Sequence, residues 1–491
     1  MSDTTSIDSL KLTHSYAEFP DSQFHAVRPT PLPDPKLISL NNKVAEQLGG
    51  IQDWMSESAL TAIISGHQLP ETANPLAMKY AGHQFGQFNP QLGDGRGILI
   101  GELDVDGQLW DMHIKGAGLT RYSRMGDGRA VLRSSIREYL VGEALTHLNI
   151  PSTRALGIVV SSEKVRREMV EPAAAILRTT QCHIRFGHFE HLFYSGQHEP
   201  LKHLADYCIQ RYFPEYQQAD NPYLAMFDEV SRRSAAMVAG WQAYGFLHGV
   251  MNTDNMSLIG ETFDHGPYAF IDTWREKAVY NHTDELGRYA FNKQPDIVHW
   301  NLSALAQALT PLVEVDDLKA SLEKFPEWYN PTYRQRMAER LGLATEQADD
   351  ALLIKQWRSL LNQYELDHHR LYRALSHAQT TDEAGNASLD QSELIPWLEP
   401  LKTWLPDYQA RLQQEIRTPE QRKQQMLSVN PAFVLRTHVA SHIIEEAEQG
   451  NYAPLNDWLA ILQNPYEDQP KWNDWKHAPD NKGLVMLSCS S

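Results

Sequence analysis

The segment HGVMNTDN, residues 248–255, places a histidine, an aspartate and an asparagine within eight positions. Enzymes that transfer phosphoryl groups in the kinase manner need a carboxylate beside the attacking hydroxyl and an amide oxygen on the metal ion. Asp254 and Asn255 could supply these two groups, with His248 close by in the sequence. The same residue types also favour a polar turn after a helix, so the segment alone leaves both interpretations open.

A second metal-binding carboxylate would have to come from further along the chain. Two aspartates are available, Asp264 in DHG and Asp272 in FID, and periodicity does not choose between them. The spacing also departs from the protein-kinase loop H-R-D-x-x-x-x-N, because Asp254 and Asn255 are adjacent. The predicted chemistry is metal-dependent transfer from a nucleotide phosphate, with a loop spacing that differs from that of ordinary kinases.

A lysine and a glutamate upstream fit the same chemistry. Lys115 ends a predicted strand, and Glu138 lies on the helix that follows. Kinase-type enzymes use such a pair to hold a nucleotide phosphate. The alternative is a surface lysine with an unrelated exposed glutamate.

A local basic cluster lies between these two residues. Glycine-rich turns, GDGRG (93–97) and GDGR (126–129), flank it, and glycines let backbone N–H groups approach an anion while arginines hold phosphate oxygens. Together they favour phosphate binding over an ordinary charged surface with two tight turns. The arginines of residues 118–138 are Arg121, Arg124, Arg129, Arg133 and Arg137.

The elements that must position these residues are a hairpin and a helix. Strands are predicted at 98–103 and 109–115, joined by the turn DGQ. His113 and Lys115 then share one face of the second strand. The opposite face carries Trp110, Met112 and Ile114.

Residues 132–148 have the spacing of an amphipathic helix. Glu138 falls at the margin of its apolar stripe, beside Val141 and Leu145, rather than on the solvent face. The stripe consists of Leu132, Ile136, Leu140, Ala144, Leu145 and Leu148.

The wider pattern predicts an α+β protein, with a smaller β-rich half before a larger helical half. The first eighty residues are predicted to be an extended entry segment. Strands are predicted at 153–162, 173–180, 256–260 and 268–272, a long helix at 221–246 and a loop at 378–393.

Composition limits the classes of function. The chain has 491 residues, is 42% hydrophobic and carries a formal net charge of −18, so its mean field repels nucleic acid and anionic membranes. Three scattered cysteines are too few for a fold that is held together by disulfides. Neither a secretory signal nor a membrane-spanning run is predicted. A cytoplasmic location and a monomeric state are expected.

Five long motifs together resemble the SelO family of protein adenylyltransferases, a pseudokinase-like group. The resemblance covers nearly the whole chain. The motifs are YAGHQFGQFNPQLGDGRGILIGE (80–102), IKGAGLTRYSRMGDGRAVLRSSIREYL (114–140), HGVMNTDNMS (248–257), DHGPYAF (264–270) and NPAFVLRTHVA (430–440).

This resemblance implies a protein-kinase-like bilobal fold that binds ATP in a flipped orientation. It implies transfer of AMP, rather than the γ-phosphate, to Ser, Thr or Tyr hydroxyls of proteins, and UTP is a conceivable second donor. The expected organisation is an N-terminal extension packing on the core (1–79), an N-lobe (80–180), a helical C-lobe (181–480) and a C-terminal tail (481–491).

Residue roles carry over from the resemblance position by position. Lys115 and Glu138 resemble the family's ion pair, Asp254 its proposed catalytic base, and Asn255 and Asp264 its ligands for Mg²⁺ or Mn²⁺. The family thus favours Asp264 over Asp272. The residues that resemble its nucleotide-binding set are Gly93, Gly95, Arg96, Lys115, Asp127, Gly128, Arg178, Arg185 and Asp264.

Cys489 resembles the C-terminal cysteine that gives the family redox control. Its expected partner segment, REKAVYNHTD (275–284), contains no cysteine, so this segment cannot supply the partner of an intramolecular disulfide. Two rival functions remain: an ordinary kinase-like phosphotransferase, and a catalytically silent nucleotide-binding pseudokinase.

Overall fold

The structure is a computed structural model, and it describes residues 7–479 and 486–488. The predicted α+β class is confirmed. The strands are β1 (Leu12–Thr13), β2 (Phe24–Ala26), β3 (Lys36–Leu40), β4 (Leu76–Gln84), β5 (Gln87–Gly93), β6 (Gly97–Val105), β7 (Gln108–Lys115), β8 (Ala130–Val131), β9 (Arg154–Arg166), β10 (Val170–Thr180), β11 (Phe246–Leu247), β12 (Ala269–Phe270), β13 (Gln379–Thr381) and β14 (Ala387–Leu389).

Helices fill most of the second half of the chain. They are α1 (Asn42–Gln47), α2 (Ile51–Trp54), α3 (Glu57–Ile64), α4 (Leu132–Thr146), α5 (Phe186–Tyr194), α6 (His198–Tyr212), α7 (Pro222–Tyr244), α8 (Gln294–Leu309), α9 (Val315–Glu323), α10 (Phe325–Arg340), α11 (Asp350–Gln363), α12 (His368–His377), α13 (Leu398–Leu401), α14 (Leu405–Leu412), α15 (Pro419–Val429), α16 (Thr437–Glu448) and α17 (Ala453–Leu462). Within the described residues, no helix is long and apolar enough to cross a membrane.

Within the part of the chain that the structure describes, one antiparallel sheet of ten strands dominates the first half. Its main path runs β2–β4–β6–β7–β10–β9–β3, with β1 pairing to β6, β5 to β4 and β8 to β10. The first eighty residues are therefore not only an extended entry segment, as predicted, because they supply β1, β2, β3 and the start of β4 to the sheet. The expected boundary at residues 79/80 falls inside β4.

The predicted hairpin is confirmed as β6 and β7, joined at Asp106 and Gly107. The two faces of β7 differ as the alternation predicts. Met112 and Ile114 are buried in a core that also contains α1, α2 and α3. His113 and Lys115 face the other side of the sheet, where α4 packs.

The predicted helix is α4, and all six stripe residues are buried. Its stripe belongs to a large core that continues from the sheet into the helical half. Glu138 is only 6% exposed, as its place at the margin of the stripe predicts. Sheet and helix together therefore bring a lysine and a glutamate into a buried position.

Helix α7 delivers the chain to the HGVMNTDN segment. The side chain of Asn221 caps its first turn by accepting from Leu224 N, and Pro222 follows. The helix ends at Gly245, whose φ of 66° is left-handed and favours glycine. The chain then passes through β11 into the segment.

Two local predictions were wrong. Residues 256–260 form no strand, because Met256 and Ser257 make only isolated bridges, to Thr262 and Arg185. The predicted loop at 378–393 contains the β13–β14 hairpin, since its polar residues form a short ladder around a turn at Gly385.

Candidate functional site

A cleft of about 600 Å³ lies where the sheet meets the HGVMNTDN segment. Both glycine-rich turns, the end of β7 and the residues around Asp264 line it. Every residue that the resemblance assigns to nucleotide, metal or catalysis lines the cleft. These residues are Gly93, Gly95, Arg96, Lys115, Asp127, Gly128, Arg178, Arg185, Asp254, Asn255 and Asp264.

Glu138 lies behind the cleft and binds two cations. Lys115 Nζ donates to its Oε2, and Arg178 Nε donates to Oε1 at 2.9 Å. Burial alone would raise the pKa of Glu138, but Arg178 and Lys115 lower it to about 2. The alternative of an unpaired surface lysine and glutamate is therefore wrong.

Asp264 gathers three cations at the floor of the cleft. Its Oδ1 accepts from Arg178 Nη2 at 2.7 Å and lies 3.4 Å from Lys115 Nζ, and its Oδ2 accepts from Arg185 Nη2 at 3.2 Å. Burial opposes ionisation, yet the three cations lower the pKa of Asp264 well below its usual value. This concentration of positive charge is where an anionic phosphate chain would be stabilised.

Asp272, the rival carboxylate, does not line this cleft. Arg436 Nη1 donates to its Oδ1 at 3.0 Å, and Arg436 Nη2 donates to Asp367 Oδ2 at 2.8 Å. Arg436 comes from the NPAFVLRTHVA motif, whose role at this position is therefore structural. Asp264 is the aspartate placed beside the other site residues.

Asp254 lies on a single 3₁₀ turn, Thr253–Asn255, and lines the cleft. It is 8% exposed; Gln84 Nε2 donates to its Oδ2 at 3.2 Å, while Oδ1 is buried with no hydrogen-bond partner. Burial raises the pKa of Asp254 to about 7, against the opposing effects of Gln84 and Arg185. A carboxylate with such a pKa is suited to accept a proton near neutral pH.

The turn between β4 and β5 packs against the HGVMNTDN segment. His83 N donates to Thr253 Oγ1 at 2.7 Å, and Phe85 N donates to Asn252 Oδ1 at 3.3 Å. Gly82 allows this approach, since a Cβ there would lie 2.8 Å from Asp254 Oδ1. Sequence reasoning missed Gln84 and this contact, because both depend on packing between segments 170 residues apart.

Asp94 is a second residue that sequence reasoning missed. It stands between the predicted Gly93 and Gly95, is 4% exposed, and accepts from Met78 N at 3.1 Å and Arg185 Nη1 at 3.2 Å. His113 Nε2 lies 3.4 Å from the same carboxylate. Burial opposes ionisation of Asp94, but Arg185 and His113 hold its pKa well below the usual value. Its position inside GDGRG (93–97) was the available signal.

We expect Asp94→Asn to weaken nucleotide binding about tenfold, because Arg185 loses the partner that orients it. The Asp94 side chain is only 2% exposed, against 23% for Asp264, so it positions Arg185 rather than competing with an anion in the cleft. The variant should also be less stable, since removal of one member of a buried ion pair costs about 3–5 kcal/mol. Steady-state kinetics should show a higher KM for ATP with a smaller change in kcat, and urea unfolding should show the loss of stability. An unchanged KM would contradict this positioning role.

The arginine cluster of residues 118–138 is divided by the fold. Arg129 donates to Thr30 O at 2.7 Å, and Arg137 donates to Tyr268 O at 2.7 Å, so both are structural. Arg133 pairs with Glu171 outside the cleft. Arg124 and Arg129 of the cluster line the cleft, together with Arg178 and Arg185 from β10 and the segment after it. Phosphate binding by these arginines stays a prediction.

Asn255 and Asp264, which resemble the family's metal ligands, both line the cleft and carry the oxygen atoms that a hard cation prefers. Asn255 Nδ2 donates to Val250 O at 3.1 Å, which leaves its amide oxygen as the group able to bind a metal. Among residues 7–479 and 486–488, no three His, Cys, Asp or Glu side chains form a metal cluster. A site of one amide and one carboxylate matches Mg²⁺, which commonly completes its shell with substrate phosphates and water.

The C-terminal tail contacts the segment in which a cysteine partner was expected. Leu487 N donates to Tyr280 O at 2.6 Å, and His282 N donates to Leu487 O at 3.0 Å. Cys489 itself lies outside the described residues. Cys182 and Cys208 are buried free thiols.

Comparison with known proteins agrees with the motifs. The family model described as Protein adenylyltransferase SelO matches residues 7–463. A protein nucleotidyltransferase YdiU of Hahella chejuensis is 48% identical over 100% of both chains. The YdiU protein of Vibrio parahaemolyticus is 44% identical over 98% of this chain and 99% of its own length. The YdiU protein of Pseudomonas aeruginosa is 44% identical over 99% of this chain and 100% of its own length. The predicted family and enzyme class are thereby confirmed, and the chain belongs to the SelO family of protein adenylyltransferases, also named YdiU nucleotidyltransferases.

Proposed function

We propose that the enzyme transfers AMP from ATP to Ser, Thr or Tyr hydroxyls of proteins. The observation that carries this proposal is the convergence of Lys115, Arg178 and Arg185 at one end of the cleft, with the unpartnered Asp254 carboxylate in the same cleft. AMP transfer breaks the bond between the α-phosphorus and the bridging oxygen and releases pyrophosphate. A deep cationic end suits that leaving group, because it stabilises charge that develops in the transition state.

Asp254 is proposed to accept the proton of the attacking hydroxyl. The acceptor oxygen forms a bond to the α-phosphorus while its proton passes to the Asp254 carboxylate. Burial raises the pKa of Asp254 to about 7, so the carboxylate is suited to accept a proton near neutral pH. Gln84, through its hydrogen bond to Oδ2, orients the carboxylate and leaves Oδ1 for the hydroxyl.

The residues proposed to hold Mg²⁺ or Mn²⁺ are Asn255 and Asp264. A bound divalent cation would neutralise charge on the phosphates. Arg96 and the two glycine-rich turns are proposed to contact the nucleotide, since they line the cleft beside Lys115.

A flipped orientation of ATP and a kinase-like bilobal arrangement are part of this proposal. The divisions at residues 180 and 480 are likewise proposed, as are the monomeric state and the cytoplasmic location, whereas a division at residue 79 would cut β4. UTP is proposed as a second donor, because the chemistry takes place at the α-phosphate that both nucleotides share. Nucleic acid and membranes are not proposed as partners, since the net charge of −18 opposes both.

Paired labelling tests the proposal. The enzyme is incubated with a protein acceptor, Mg²⁺ or Mn²⁺, and ATP labelled at either the α- or the γ-phosphate. We expect label on protein from α-labelled ATP alone. Label from γ-labelled ATP alone would identify a kinase, and binding of metal–ATP with no transfer in either arm would identify a silent nucleotide-binding protein. Thermal stabilisation by metal–ATP reports binding in each case.

A further inference from the structure

We propose that the acceptor polypeptide binds a surface beside Asp254, where Arg288 recognises an acidic side chain near the acceptor hydroxyl. We call this surface the hairpin-tip patch. The inference rests on the proposed AMP transfer and extends it to substrate recognition. It is formed by Phe85, Phe88, Tyr194, Arg288 and Trp300.

The patch begins one residue from the proposed base. Gln84 contacts Asp254 and lines the nucleotide cleft, whereas Phe85 follows it in the chain and does not line the cleft. Phe85 N donates to Tyr289 OH at 2.9 Å as well as to Asn252, which fixes the turn over the catalytic segment. A polypeptide on this patch could therefore reach Asp254 while the cleft holds a nucleotide.

The side chains of the patch are those that dominate protein interfaces. Phe85 is 40% and Tyr194 47% exposed, although both are large apolar groups. The Phe88 and Tyr194 rings lie 4.2 Å apart between centroids, and the Phe85 ring lies 5.0 Å from that of Tyr289. Aromatic residues and arginine are enriched at interface hot spots, because they bury a large area at a low entropic cost.

Arg288 gives the patch its charge preference. Its guanidinium carbon lies 4.8 Å from the Trp300 ring centroid and 5.9 Å from that of Tyr289. In the described part of the chain, no carboxylate forms a salt bridge with Arg288, and its buried Nε has no hydrogen-bond partner. In a protein with a net charge of −18, an arginine that lies beside aromatic rings and forms no salt bridge within the described residues is suited to bind a carboxylate of another molecule.

The position of Arg288 beside the β4–β5 turn indicates where the carboxylate of the acceptor polypeptide should lie relative to the acceptor hydroxyl. A Cβ built on Gly86 would be 3.2 Å from the Arg288 guanidinium carbon, and Gly86 is two residues beyond Gln84. Arg288 therefore lies near the β4–β5 turn that also carries Gln84, and the acidic side chain is expected within a few positions of the acceptor hydroxyl.

Matched peptides test this assignment. Each carries one central Ser, Thr or Tyr and either Glu or Lys at positions two and three on both sides, and transfer is measured with α-labelled ATP. We expect the wild type to prefer the Glu peptides about tenfold in kcat/KM. Arg288→Gln should abolish the preference, and Arg288→Glu should reverse it towards Lys peptides, with KM for ATP unchanged in both.

Two further variants separate docking from general damage. Phe85→Asn, which suits the φ of 51° at this position, should raise KM for peptides severalfold without changing thermal stabilisation by metal–ATP. Arg334→Gln, on the exposed surface of α10, should behave as the wild type.

The outcomes distinguish the two proposals. Equal use of Glu and Lys peptides by the wild type, or a preference that survives Arg288→Gln, would overturn the docking assignment while leaving AMP transfer intact. If the wild type labels neither peptides nor proteins from α-labelled ATP, both proposals fail. Fluorescence polarisation of a labelled Glu peptide on Asp254→Asn should give a Kd that rises about tenfold when Arg288→Gln is added.

Discussion

Asp254→Asn is expected to reduce AMP transfer by roughly 10²- to 10⁴-fold, because the proposed proton acceptor becomes a neutral amide of nearly the same shape. The cationic end of the cleft does not depend on Asp254, since Lys115, Arg178 and Arg185 pair with Glu138, Asp94 and Asp264. Nucleotide affinity should therefore change little. Transfer from α-labelled ATP and calorimetric titration of metal–ATP measure the two quantities separately.

The pH dependence has a defined sign. The ionised form of Asp254 is the proposed base, so the wild-type rate should rise with pH through about 7 and then level off. The raised pKa also means that the native protein binds more protons than the unfolded chain between about pH 4 and 7. The contribution of Asp254 to stability is therefore present below its unfolded pKa and is lost as pH rises towards 7.

Because the pKa of Asp254 is raised, the Asp254→Asn variant is expected to be more stable than the wild type at high pH. Asp254→Asn removes the buried charge, so its free energy of unfolding should exceed that of the wild type at pH 8 by about 2–4 kcal/mol and equal it near pH 4. Asp316→Asn, at an exposed carboxylate of α9, is the control and should show neither effect. A variant that retains most of its activity, or a stability difference independent of pH, would contradict the assignment of Asp254.

The elements that carry the lysine and the glutamate were predictable because their signals are local. Strand alternation placed Lys115 and His113 on one face of β7, and the helical stripe placed Glu138 at a buried margin of α4. Both follow from periodicities of two and 3.6 residues within short windows. The β13–β14 hairpin was missed, since its residues are polar and its ladder has only three pairs.

The site was predictable only in part. HGVMNTDN contained Asp254 and Asn255, but the choice between Asp264 and Asp272 depended on which of them the fold places near Lys115. Arg436, more than 160 residues away, pairs with Asp272 and removes it from the cleft. The sequence does not show which aspartate lies near Lys115 in space. Only the family resemblance indicated Asp264 rather than Asp272 beforehand.

The arginines of the cleft were also not predictable from local sequence. Local density favoured residues 118–138, yet Arg129 and Arg137 are used to hold the fold through backbone carbonyl groups. Arg178 and Arg185 stand alone in their sequence segments and become a cluster only when β10 lies beside β7. Charge density along the chain therefore did not indicate Arg178 and Arg185, which tertiary pairing brings together at Asp264.

Asp264→Asn should have opposite effects on catalysis and on anion binding. Metal-dependent AMP transfer should fall by at least about 10²-fold, because the variant loses a carboxylate proposed to bind the metal. Binding of pyrophosphate without metal should instead tighten about tenfold, since Arg178 and Arg185 lose a competing negative charge. Transfer assays with Mg²⁺ or Mn²⁺, and calorimetric titration of pyrophosphate in the presence of a chelator, measure the two effects.

The matched control is Asp272→Asn, at the aspartate that the sequence could not exclude. Arg436 keeps Asp367 as a partner there, so stability should fall moderately while metal dependence and pyrophosphate affinity stay as in the wild type. For Asp264→Asn, the unfolding temperature should also drop, because three buried cations lose a carboxylate, and added pyrophosphate should restore it. If Asp272→Asn abolished metal-dependent transfer and Asp264→Asn did not, the metal site would have to be reassigned. If pyrophosphate bound more weakly to Asp264→Asn, the cations at Asp264 would not be the leaving-group site.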